Sequence, residues 1–120
     1  MKPTIDATRF GSITVEGTQI DHDVVVRLSG AVEKRKKQLS LAVYGTAHVI
    51  SLDEAKDLLE AGVSQIVIGS GQDGRVTLSP EAAAFFKKRG VKVSLEPTPI
   101  AIRTWNAAKG AAAGLFHVTC

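Results

Sequence analysis

Gln65-Ile66-Val67-Ile68-Gly69-Ser70-Gly71-Gln72-Asp73-Gly74-Arg75-Val76-Thr77-Leu78-Ser79-Pro80-Glu81 carries the alternation from which the fold is read. Residues 65–68 are almost all apolar, the pattern of a short strand covered on both faces. Glycines interrupt the run, and residues 75–78 resume as a second short strand. Ser79-Pro80-Glu81 then has the chemistry of a helix start: a capping hydroxyl, a proline at the first helical position and an acid favoured by the helix dipole.

Working outward, the same strand and helix alternation continues on both sides. Downstream, Ala82, Ala83, Phe85 and Phe86 belong to a helix that stops at Lys87-Lys88-Arg89-Gly90, where cations and a following glycine are expected. Residues 91–95 alternate as a strand, Thr98-Pro99 opens a further helix ending near Gly110, and residues 115–118 form a last strand. Upstream, Ser51 and Glu54 have capping-box spacing, and Leu52, Ala55, Leu58 and Leu59 share one helical face that ends near Gly62.

The first third reads as β structure. Residues 10–15 alternate, Glu16-Gly17-Thr18-Gln19 supplies turn chemistry, and Ile20 with residues 24–28 returns as a strand. Residues 39–44 alternate again and predict a short strand or edge segment. The fold class is therefore α/β: a mixed central sheet with helices packed on it and a β-rich N-terminal layer. A chain of 120 residues is expected to be one domain spanning 1–120.

Composition narrows the function classes. Hydrophobic residues are 44% and aromatics only 5%, so the core must be built from Val, Ile, Leu and Ala. A net charge of +3 is mildly basic, and much of it comes from Lys34-Arg35-Lys36-Lys37. That run lacks interleaved aromatics for base stacking, so it reads as a solvated loop face and no nucleic-acid partner is expected. The single cysteine, Cys120, excludes an intrachain disulfide. The first residues lack the apolar stretch of a signal peptide and no run is long enough to span a bilayer, so the expectation is cytoplasmic with no membrane partner.

Gly69 to Gly74 fits the pattern G-x-G-x-x-G, and Glu96 ends the next alternating strand. In a dinucleotide site the helix opens within the glycine loop. Here residues 75–78 intervene, so the pattern reads as a glycine-rich turn and no cofactor is expected. His22, His48 and His117 lack zinc-site spacing, and no metal is expected. Asp21-His22-Asp23 suits a turn as well as a site. His117 and Cys120, three apart, would face oppositely on a strand, so no nucleophile and base are paired there.

Phe10-Gly11, residues 43–48, residues 68–74, residues 78–82, Pro97-Thr98-Pro99-Ile100-Ala101-Ile102, Trp105-Asn106 and the ending Gly114-Leu115-Phe116-His117-Val118-Thr119-Cys120 occur in a recognisable order. Together they resemble a small family of α/β domains of unknown function first solved from a methanogenic archaeon. The adipogenesis-associated domain protein and mitochondrial complex I assembly factor three are similar to the same family, and this chain is most similar to the archaeal stand-alone members. The resemblance implies a compact mixed-sheet fold in which the glycine loop is a family hallmark. It brings no reaction, cofactor or catalytic residue.

The sequence thus favours a non-enzymatic protein-binding or assembly module with an unidentified protein partner or a second copy of itself. The alternative is an anion-binding or enzymatic pocket near the glycine loop and the helix N-termini. Its candidate residues are Arg35, Lys36, His48, Gly69, Gly71, Ser79 and Thr98.

Overall fold

The computed structural model describes residues 2–120. Its strands are β1 (Ile5–Arg9), β2 (Ser12–Val15), β3 (Thr18–Ile20), β4 (Val24–Val26), β5 (Val32–Lys34), β6 (Val49–Ile50), β7 (Gln65–Ser70), β8 (Thr77–Leu78), β9 (Lys92–Glu96) and β10 (Ala112–His117). Its helices are α1 (Gln38–Tyr44), α2 (Leu52–Leu58), α3 (Pro80–Lys88) and α4 (Thr98–Ala107). The central sheet has the order β5-β4-β10-β7-β9. β10, β7 and β9 run parallel, whereas on the other flank β4 lies antiparallel to β10, and β5 lies antiparallel to β4. β1, β2 and β3 form the separate antiparallel N-terminal layer, and β6 pairs with β8 in a small parallel ribbon. The α/β architecture with a mixed central sheet and a β-rich N-terminal layer is the one expected.

Side-chain alternation along the strands divides the core in two. Ile66, Ile68, Ala113 and Leu115 face α2 and α3, meeting Ala55, Leu58, Ala82 and Phe86. Val67, Ala112 and Phe116 face the other way, onto Ala101 and Trp105 of α4 and onto Ile5, Ile13 and Val15 of the outer layer. Burying each large side chain contributes roughly 1.5–3 kcal/mol relative to leaving it in water. These two apolar layers therefore carry most of the stabilisation. Gly114 is needed in the second layer, because a Cβ there would lie 2.7 Å from the Phe116 ring and 3.2 Å from Trp105. That space lets Trp105 and Phe116 pack edge to face with centroids 5.9 Å apart.

Several sequence expectations need correction. Residues 39–44 lie in α1 rather than a strand. Their alternation misleads because the buried residue is Ser40, while Leu41, Val43 and Tyr44 are exposed. Gly45 closes the helix in the left-handed conformation and donates its amide to the Leu41 carbonyl. α2 ends at Leu58, short of Gly62. Its capping box is half formed: Ser51 Oγ accepts from the Glu54 amide, but the Ser51 amide donates to Ser40 Oγ. The Glu54 carboxylate is engaged elsewhere.

The strand expected to return over residues 20–28 is split between two sheets. β3 pairs with β2, whereas β4 lies beside β10 in the central sheet. Asp21-His22-Asp23 is therefore the crossing from the outer layer to the centre. β1, β5 and β6 fall where no strand was expected.

Candidate functional site

β10 is where the sheet changes sense, with parallel β7 on one side and antiparallel β4 on the other. In open α/β sheets, ligands tend to bind beyond the carboxyl ends of the parallel strands. A cleft of about 370 Å³ opens at that end of β10. The start of β4, the end of β5 and the chain after β10 all reach it, because antiparallel β4 begins where β10 stops.

All three histidines of the chain, His22, His48 and His117, line this cleft. Lys34, Arg35 and Lys37 join them, with Asp21, Asp23 and Thr119. Lys34 and Lys37 are exposed at the mouth, whereas Arg35 is only 3% exposed. The basic run is therefore not a uniformly solvated face. Arg35 turns inward because its partners are there. Its Nε and Nη2 donate to the two Glu54 carboxylate oxygens at 2.6 and 3.0 Å, Nη1 to Asp23 at 3.0 Å and Nη2 also to the Ala47 carbonyl at 2.8 Å. Ser40 Oγ donates to Glu54 at 2.5 Å. Among the described residues no buried side-chain polar atom lacks a hydrogen-bond partner.

Asp23 links this buried pair to the cleft wall. Its Oδ2 lies 2.7 Å from His117 Nδ1, and its Oδ1 accepts from the Val118 amide at 2.9 Å. Burial works against the carboxylate, but the hydrogen bonds from His117, Val118 and Arg35 outweigh it and hold Asp23 below the ordinary aspartate range. Burial likewise works against the Arg35 charge, and Glu54 and Asp23 outweigh it, raising the guanidinium above its usual value. His117 Nε2 lies 3.1 Å from Thr119 Oγ1. The His48 ring stands edge-on to that of His117, with centroids 5.4 Å apart.

Of the residues predicted for an anion pocket, Arg35 and His48 meet in this cleft and the others do not line it. Lys36 points to Asp57 on α2, at 3.2 Å. Ser79 caps α3 by accepting from the Ala82 amide. Thr98 does not cap α4: its hydroxyl donates to the His117 carbonyl at 2.6 Å and accepts from the Gly71 amide at 2.9 Å. Gly69 packs on Thr98 and Phe116. Gly71, at φ +102°, sits against Cys120 and the His117 ring, where a Cβ would collide with the Cys120 backbone.

The glycine-rich loop therefore grips residues 119 and 120 with its own amides. Gln72 donates to the Thr119 carbonyl at 2.7 Å, and Asp73 and Arg75 to Cys120 O at 3.3 and 3.2 Å. Sequence reasoning missed Asp23, His117, Thr119, Lys34 and Lys37 as one group. The available signals were a polar triplet between apolar strands and polar residues closing the last apolar strand.

The class defined by these features is a small mixed α/β domain whose glycine loop orders the end of its central strand beside a polar cleft. The chain belongs to the DUF498/DUF598 family, proteins of unknown function, whose pattern matches residues 5–115. It is similar to the conserved hypothetical protein PH1505 of Pyrococcus horikoshii, at 29% identity and TM-score 0.90 over 98% of this chain and 99% of that one. It is similar to MT938 at 34% identity and TM-score 0.82, over 99% and 100% of the two chains. A Mth938-like domain from Bordetella pertussis shares the fold at 22% identity and TM-score 0.63, over 97% of this chain and 85% of that one. Among the described residues no helix is long and apolar enough to cross a membrane.

Proposed function

We propose that the cleft at the end of β10 binds a small anionic molecule bearing a carboxylate or phosphate. The observation that carries this reading is the convergence of Lys34, Lys37 and all three histidines on one cleft of about 370 Å³. That volume lies within the ~300–1,000 Å³ usual for small-molecule sites. Asp23 does not repel an anion at full strength, because Arg35 and His117 already share its charge. The cations facing outward are Lys34 and Lys37, against Asp21.

Titration of the protein with citrate and inorganic phosphate, followed by amide NMR shifts, tests this. Shifts should concentrate at Gly11, His22, His48 and Thr119. Changing Lys34 and Lys37 together to alanine should weaken binding about tenfold, equivalent to roughly 1.4 kcal/mol. Shifts scattered over exposed lysines elsewhere, or unchanged affinity in the double variant, would overturn the reading.

A protein-contact role, with a partner or a second copy, is supported by a different surface. Leu41, Val43 and Tyr44 of α1 are 41%, 57% and 38% exposed. Large apolar side chains grouped on one short helix suit an interface better than water. If a second copy covers them, sedimentation will show a concentration-dependent dimer that Val43→Asp disperses. A monomer at every concentration removes the second copy as the occupant.

A further inference from the structure

Asp23, His117 and Thr119 form a continuous hydrogen-bonded chain along one wall of the cleft, at 2.7 Å and then 3.1 Å. The partners decide where the histidine proton sits. Asp23 accepts from the Val118 amide on one oxygen and from Arg35 on the other. A carboxylate held by such donors only accepts, so His117 Nδ1 carries the proton between them. In the neutral ring Nε2 then offers a lone pair, and the Thr119 hydroxyl donates to it. The order is hydroxyl, base and orienting carboxylate, the arrangement that activates a nucleophile.

This chain is held from behind. Thr98 donates to the His117 carbonyl, Gly11 to the Val118 carbonyl at 2.8 Å and Gln72 to the Thr119 carbonyl. A reacting group needs its backbone fixed to a fraction of an ångström, and these tethers do that. Thr119 nevertheless remains partly exposed and lines the cleft. His48, beside His117, makes no ring hydrogen bond to another described residue.

We propose that Thr119 is a nucleophile for acyl transfer, acting on carboxylic esters that carry an anionic group. The anionic part of this substrate class rests on the cleft reading above; the hydroxyl chemistry does not. Thr119 Oγ1 bonds to the ester carbonyl carbon as its proton passes to His117 Nε2. The bond from that carbon to the leaving oxygen breaks, and the leaving alkoxide takes the proton. Water then attacks acyl-Thr119 by the same route, giving the carboxylic acid and restoring the hydroxyl. Nothing is oxidised or reduced. Asp23 is a positioning residue that holds the ring while it is charged.

The test uses the full chain carrying Cys120→Ser, so that the neighbouring thiol cannot take the acyl group. It is treated with neutral p-nitrophenyl acetate and, separately, with anionic mono-p-nitrophenyl succinate. Peptide mass spectrometry should place the acyl group on Thr119. Thr119→Val, similar in shape, should slow p-nitrophenol release about a hundredfold, the scale of a lost acid–base pathway. Thr119→Ser should restore it, which a merely structural hydroxyl-to-histidine contact does not require. Acylation of Thr119 by both esters, faster with the succinate, supports both proposals. Acylation with no preference for the succinate supports the nucleophile and counts against the anion cleft. An acyl group found only on lysines, or release undiminished in Thr119→Val, overturns the nucleophile.

Discussion

Phe116 and His117 are neighbours on β10, yet they belong to two regions built on different physics. Phe116 turns into the layer under α4, where it meets Trp105 edge to face at 5.9 Å and both rings are fully buried. His117 turns to the opposite face and meets Asp23, behind which lie Arg35 and Glu54. The apolar region depends on shape, and its stability falls roughly in proportion to the contacts removed. The polar region depends on completeness. Arg35 and Glu54 have side chains 0% and 1% exposed, so the cost of dehydrating two charges offsets most of their attraction. The pair adds little net stability while intact and is costly to break.

That asymmetry yields the largest expected effect. Glu54→Leu leaves the buried Arg35 charge without its main partner, and urea unfolding should show a loss of about 3–5 kcal/mol. Adding Arg35→Met to the same chain should recover part of it, with a coupling of roughly 0.5–3 kcal/mol. Recovery is incomplete because the Ala47 carbonyl and Ser40 hydroxyl lose donor and acceptor respectively. If the double variant is as unstable as Glu54→Leu, the penalty does not come from an unpaired charge, and the contrast between the two regions fails.

The two regions also differed in how far the sequence exposed them. The parallel half was readable because local chemistry and tertiary role agree there. The apolar run at β7 is buried on both faces, and Ser79-Pro80 caps α3 where a cap was expected. The helix at α1 was not readable, since its alternating apolar residues face water and its buried Ser40 serves Glu54. The cleft was still less so. Asp23 and His117 are 94 residues apart, and no local pattern announces a contact of that range. Arg35 looked like its lysine neighbours because charge alone was visible, not the carboxylates waiting in α2 and before β4. The task of the glycine loop, gripping residues 119 and 120, depends on a strand that arrives much later in the chain.

The smallest expected effect is a change of slope rather than a loss of fold. In the folded protein Asp23 is held below the ordinary aspartate value, because hydrogen bonds from His117, Val118 and Arg35 outweigh the effect of burial. A depressed carboxylate binds fewer protons folded than unfolded, so its contribution is present above the unfolded value of about 3.9. The contribution fades as pH falls from there through the lower folded value. Urea midpoints taken from about pH 5 down to about pH 2 keep the measurement in the carboxylate range. Over that span the advantage of the wild-type chain over Asp23→Asn should shrink steadily, while carboxylates common to both chains largely cancel. A constant advantage would mean that the Asp23 charge does not hold the polar region together. It would also remove the argument that His117 keeps its proton on Nδ1, and with it the lone pair facing Thr119. The same titration therefore bears on the stability of the buried network and on the chemistry proposed at its edge.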